Sequence, residues 1–206
     1  MKYTHLFCAS ATTRGRMVVT PDYDALWAYE AQCLTEWRRS GFRDYPVVAT
    51  SQPIRFQVDQ YALHGDEDMP WCPSGYIVSE RLAELFRNFQ DDGLTFLPVS
   101  IIRKKSPSKP LKSPVAKHQY LMLVVNRVID CADEIRSIWE VVPPEQPPRL
   151  RRFCFEPTKV PNGCNIFTPR GREGRIYIST CVRDSIESLG MTGCRFDEPG
   201  DLRPLW

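Results

Sequence analysis

A chain of 206 residues with 42% hydrophobic content can bury one sizeable core, or two small lobes that share an interface. Its formal net charge of +2 is too small to imply a polyanionic partner. The longest apolar run, Tyr120–Val125, has 6 residues, far short of a membrane span. No basic, apolar leader with a small-residue cleavage site opens the chain, so the expectation is a cytoplasmic protein away from membranes. In a reducing compartment its eight cysteines are expected as free thiols. They form no CxxC or CxH pair of the kind that holds zinc, so no metal is expected.

In chain order, strand signals at 6–8 and 17–20 flank a Thr-Arg-Gly turn. A helix is predicted over 21–39, with Thr20 as N-cap, Pro21 at the first helical position, and Asp22 and Asp24 on the first turn. Leu26, Tyr29, Cys33 and Trp37 share one face of it, and Ser40-Gly41 supplies the stop. Residues 47–49 and Ile54–Val58 read as short strands, the second alternating Ile54, Phe56 and Val58 inward. An acidic loop at 64–70 then leads to Trp71.

Residues 76–98 and 176–198 resemble each other in the same register, one hundred positions apart. Ser79 matches Ser179, Gly93 matches Gly193 and Phe96 matches Phe196. Val78, Leu82, Phe86 and Phe89 match Ile178, Val182, Ile186 and Leu189. Each segment predicts a strand, a serine N-cap, an amphipathic helix, a glycine that ends the helix or turns into the next strand, and that strand. Between them lie a basic, proline-containing loop at 103–117, a buried strand at 120–129, and a short helix or strand edge at 133–141. A stiff PPEQPP connector follows at 143–148. Strands at 152–156 and 164–168 around the Asn162-Gly163 turn read as a hairpin, and a turn at 170–174 feeds the second segment. The fold class is therefore α+β: antiparallel or mixed strands and hairpins with two or three packed helices, containing a duplicated strand–helix–strand unit. The chain divides into 1–70, with strands and the 21–39 helix, and 71–206, with both units, as one compact domain or two small lobes.

Catalytic motifs are absent. No GxSxG, Walker loop, GxGxxG or HExxH occurs, and the three histidines His5, His64 and His118 are not within helical reach of one another. Ser79 and Ser179 read as helix caps, each hydroxyl accepting a backbone N–H, and not as nucleophiles. Two alternatives stay open: a hydrolase-like enzyme using His118, Cys131 and Asp133, and a nucleic-acid-binding module using 103–117 with the RLRR cluster at 149–152. No aromatic interleaves the basic loop, which argues against the second. No cofactor is expected.

The closing stretch NIFTPRGREGRIYISTCVRDSIESLGMTGCRFDEP resembles the end of a bacterial immunity-protein family, number eleven among such families and formerly a domain of unknown function. YIVSERLAELFRNFQDDGLTFLPV and YLMLVVNRVIDCAD are similar to its middle, so the likeness spans about 70–199. The resemblance implies a non-enzymatic antidote whose partner is the toxin domain of a secreted or contact-delivered effector. The family motifs supply no binding residues. Antidotes to nucleic-acid-attacking toxins often present acidic groups for steered association, so the candidate contact residues are Asp66, Glu67, Asp68, Asp91 and Asp92, with Trp71 as an apolar anchor.

Overall fold

A computed structural model describes residues 2–8, 19–21, 31, 33, 53–58, 67–70, 72, 75–89, 92–103, 119–141, 143, 150–172 and 174–199. In chain order the elements are β1 (Tyr3–Cys8), β2 (Val19–Pro21), β3 (Ile54–Val58), β4 (Tyr76–Ser79), helix α1 (Glu80–Phe89), β5 (Leu94–Arg103), β6 (Tyr120–Val125) and β7 (Val128–Ile129). Then follow β8 (Ile138–Trp139), β9 (Leu150–Arg152), a 3-10 turn (Pro157–Lys159), β10 (Ile166–Pro169), β11 (Ile176–Ser179), helix α2 (Thr180–Ser188) and β12 (Cys194–Asp197). The class is α+β. One sheet runs β12-β1-β11-β10-β7, a second runs β2-β3-β5-β6-β4, and β8-β9 form a separate ribbon.

Each strand–helix–strand segment is split by a third strand. β6 lies antiparallel between β4 and β5, and β1 lies antiparallel between β11 and β12. The registers correspond. Ser79 faces Tyr120 and Ser179 faces Tyr3, while Leu123 sits between Tyr76 and Phe96 as Leu6 sits between Ile176 and Phe196. Helix α1 buries Leu82, Ala83, Leu85 and Phe86, an i, i+3, i+4 stripe, and α2 buries Val182 and Ile186. Both stripes enter one apolar cluster with Leu6, Val78, Leu121, Leu123, Ile176 and Ile178. That shared core joins the two segments. Helix α2 ends in a Schellman turn: Gly190 N–H donates to Glu187 O and Met191 N–H to Ile186 O. The stop is therefore Gly190, and Gly193 makes the turn into β12.

Three sequence expectations are corrected. Thr20 and Pro21 do not start a helix; they lie in β2, opposite Gln57 and Phe56. Proline is tolerated there because β2 is an edge strand, where one side of the ladder needs no N–H donor. Residues 31 and 33 are helical and Cys33 is buried, but the rest of 21–39, and the strand at 47–49, lie outside the described residues. The Asn162-Gly163 turn closes with Cys164 N–H donating to Pro161 O, yet joins no hairpin: β9 pairs with β8, whereas β10 pairs with β11 and β7. Finally, 120–129 is two strands. The N–H groups of Asn126 and Arg127 both donate to Gly93 O, which breaks the ladder and sends β7 to the other sheet. The turn before β11 is as expected, with Arg172 N–H donating to Pro169 O.

Candidate partner-binding surface

Asp68, one of the expected contact residues, is buried. Its Oδ1 accepts from Ser79 Oγ at 2.7 Å and its Oδ2 from Thr192 N–H at 3.0 Å. Its main-chain carbonyl accepts from Ser79 N–H at 2.7 Å, and its own N–H donates to Thr192 Oγ1 at 3.1 Å. A carboxylate held by two donors in the interior is a structural joint between the start of α1 and the turn after α2, not a charge offered to solvent. Ser79 Oγ also accepts from Leu82 N–H at 3.2 Å, so this hydroxyl caps its helix as expected. Ser179 occupies the same N-cap position without a side-chain cap; its hydroxyl donates to Asn165 Oδ1 at 2.9 Å. The cap expectation for Ser179 is thereby corrected.

The other acidic residues do not form one described patch. Glu67 is half-buried before β4, while Asp92 is exposed beyond the far end of α1, in an ion pair with Arg127. A ten-residue helix separates them by about 15 Å. Asp66, Trp71 and Asp91 lie outside the described residues.

Of the three residues in the enzyme alternative, His118 lies outside the described residues. Burial, reinforced by Asp130, pushes the Cys131 thiol up to about 12, so it carries almost no thiolate at neutral pH. Asp133 is committed to local structure. Its Oδ1 accepts from Ile135 N–H and Arg136 N–H at 2.9 and 2.8 Å, and its Oδ2 pairs with Arg136 Nε at 2.7 Å. The Arg136 backbone N–H, followed by its guanidinium, holds that carboxyl below the usual carboxylate range. His5 sits in β1 under Tyr177, and burial with the Arg175 charge lowers it to about 4. A neutral, buried imidazole of this kind is poorly placed to exchange protons with a substrate. No group of three His, Cys, Asp or Glu is placed for a metal among the described residues, and no described helix is long and apolar enough to cross a membrane.

The sequence reading missed a surface that the structure puts on show. Asp133 closes a turn, the chain enters the β8–β9 ribbon, and four large apolar side chains are left in solvent: Ile135 (95% exposed), Ile138 (50%), Trp139 (39%) and Val141 (103%). The Trp139 ring rests against Gly171, where an added Cβ would approach it to 2.8 Å, and beside Leu150, its cross-strand partner. Arg151 and Arg152 are exposed on β9, with Arg152 directly opposite Ile138. The rest of the basic set, Arg149 and 104–117, lies outside the described residues. No signal of this exposure stands in the sequence: Ile135, Ile138 and Trp139 stand at i, i+3 and i+4, the spacing of a buried helical face.

A protein-family model described as Immunity protein family (Imm11) matches residues 3–201. The match takes in the N-terminal third, beyond the 70–199 stretch in which the resemblance was legible. No curated protein matches the sequence.

Proposed function

This chain belongs to the immunity protein family (Imm11), and from that premise we propose that it neutralises a cognate bacterial toxin domain by binding it. The match over 3–201 is the observation that carries the reading. In this proposal the toxin is secreted or contact-delivered, as in polymorphic toxin systems, and the antidote meets it in the cytoplasm. The protein acts as one compact unit without catalysis, cofactor or nucleic acid. Two local facts support the non-enzymatic part: Cys131 is a buried, protonated thiol, and Asp133 is spent on capping its own turn. The shared core of α1 and α2 supports a single binding body. Glu67 and Asp92 act as long-range steering charges in this reading, not as the contact itself.

The test is co-expression with the product of the adjacent upstream gene. That product is expected to arrest growth alone and to be harmless beside this protein. A product that is harmless by itself, or that stays toxic in the presence of this protein, overturns the proposal.

A further inference from the structure

We infer that the toxin seats on the exposed apolar ribbon around β8, with Trp139 as anchor and Ile135, Ile138 and Val141 as the surrounding contact. The inference rests on the toxin-binding reading above and names the surface it uses. Single exposed apolar side chains are ordinary on a folded protein; four within seven consecutive residues, two of them with almost no protein neighbours, are not. The arrangement has the composition of a protein-binding centre. An indole held in place by Gly171 and Leu150 loses little freedom on binding, and β-branched residues around it shed water without polar cost.

Charge selects the occupant. Of the acids in 130–141, Asp130 is paired with Arg170, Asp133 with Arg136 and Glu134 with Lys159, so that segment is largely neutralised and Glu140 is its remaining acid. The facing strand β9 adds Arg151 and Arg152. The apolar strip thus runs between a largely neutralised segment and the basic edge of β9. Its complement is a folded protein with an apolar pocket whose rim is acidic toward β9. A lipid surface would favour a basic margin on both sides, and nucleic acid has no use for three bare aliphatic side chains. The ribbon is also stiff at its root: Ser137 Oγ accepts from Cys154 N–H at 3.0 Å, and Asp133 N–H donates to Cys154 O at 2.8 Å. A backbone tied down in this way lowers the ordering cost of binding.

The experiment measures binding of the adjacent gene's product to the full chain and to Trp139→Ala, Ile138→Asp and Val141→Asp, with growth protection scored in parallel. Leu189→Asp, at an exposed apolar site on the far end of α2, is the control. Val141 makes no contact to lose, so its variant keeps the fold even where Trp139→Ala loosens the ribbon. About ten-fold or greater weakening in the ribbon variants, with Leu189→Asp unchanged, is the expected result. Wild-type affinity in Val141→Asp and Ile138→Asp while the parent chain binds and protects overturns the inference and leaves the proposed function standing. A parent chain that neither binds nor protects removes both. A wild-type dimer that these substitutions split into monomers assigns the strip to a second copy of this chain and overturns the inference as well.

Discussion

In the unit at 76–98 the serine hydroxyl works twice, accepting from Leu82 N–H and donating to Asp68. In the unit at 176–198 the corresponding hydroxyl only donates, to Asn165. The residues before the two serines then cross over. Asp68 reaches the turn after α2 through Thr192, and Asn165 Nδ2 donates to Phe89 O at the end of α1 at 3.0 Å. The inserted strands differ more. Met122 in β6 lies between Ile77 and Leu97, whereas His5 in β1, at the corresponding register, lies between Tyr177 and Asp197. The corresponding registers put the serines at matched places, although only Ser79 caps its helix. Side-chain chemistry at the same register is free to diverge.

The largest test of this comparison sits at the two glycines. Both adopt left-handed backbone, φ 73° at Gly93 and 81° at Gly193. A Cβ on Gly193 would strike the Met69 main chain, which cannot move without breaking the Met69 N–H bond to Thr192 O. A Cβ on Gly93 would meet the Arg127 side chain at 2.8 Å. Gly193→Val is expected to cost about 3 kcal/mol or more, and Gly93→Val about 2, in denaturant unfolding. Equal, small losses would show that the two turns are not held as tightly as their neighbours imply.

Acid sensitivity should come from the second unit. The folded pKa of His5, about 4, lies below its ordinary 6.5, because burial and Arg175 disfavour the charged ring. The unfolded chain therefore binds a proton more readily. The full stability is present above pH 6.5 and declines as pH falls toward 4, by about 3 kcal/mol for this group. His5→Met, which gives β1 the side chain that β6 carries at the same register, is expected to flatten the stability profile between pH 6.5 and 4. An unchanged slope would place the sensitivity elsewhere.

The serines come next. Ser79→Ala removes a helix cap and one donor to a buried carboxylate, with an expected cost of about 2 kcal/mol by thermal unfolding. Ser179→Ala removes a single bond to a neutral acceptor and should cost about 1 kcal/mol. The reverse order would mean that the Asn165 link carries the second helix more than any cap does.

The cap at Ser79, the two glycines and the apolar stripes were legible in the sequence because capping, left-handed turns and helical spacing are local demands, whereas the cap expected at Ser179 is absent. The burial of Asp68 was not. Its partner Thr192 is 124 positions away, and an acidic HGDEDMP loop reads as solvated charge. Thr20-Pro21-Asp22 carries every mark of a helix start, yet β3, more than thirty residues on, captures Thr20 and Pro21 as an edge strand. Ile135, Ile138, Trp139 and Val141 look like core residues from composition alone. Only the tertiary arrangement shows that they stay exposed.

The smallest expected effect separates steering from contact. If the ribbon is the contact and the acidic residues at the two ends of α1 only guide the approach, the two sets of substitutions should act on different rate constants. Charge at Val141 or Ile138 should speed dissociation, because it is placed where water is excluded. Glu67→Lys with Asp92→Lys should instead slow association, by about two- to five-fold at low salt, and leave dissociation alone. Glu67 and Asp92 stand about one helix length apart, beyond the roughly 8 Å over which physiological salt lets exposed charges act together, so raising the salt should erase the effect. Stopped-flow association against the adjacent gene's product, at low and physiological salt, reads both constants. A double variant that dissociates faster, with association unchanged, would put the toxin against the ends of α1 and reverse the roles of the two surfaces.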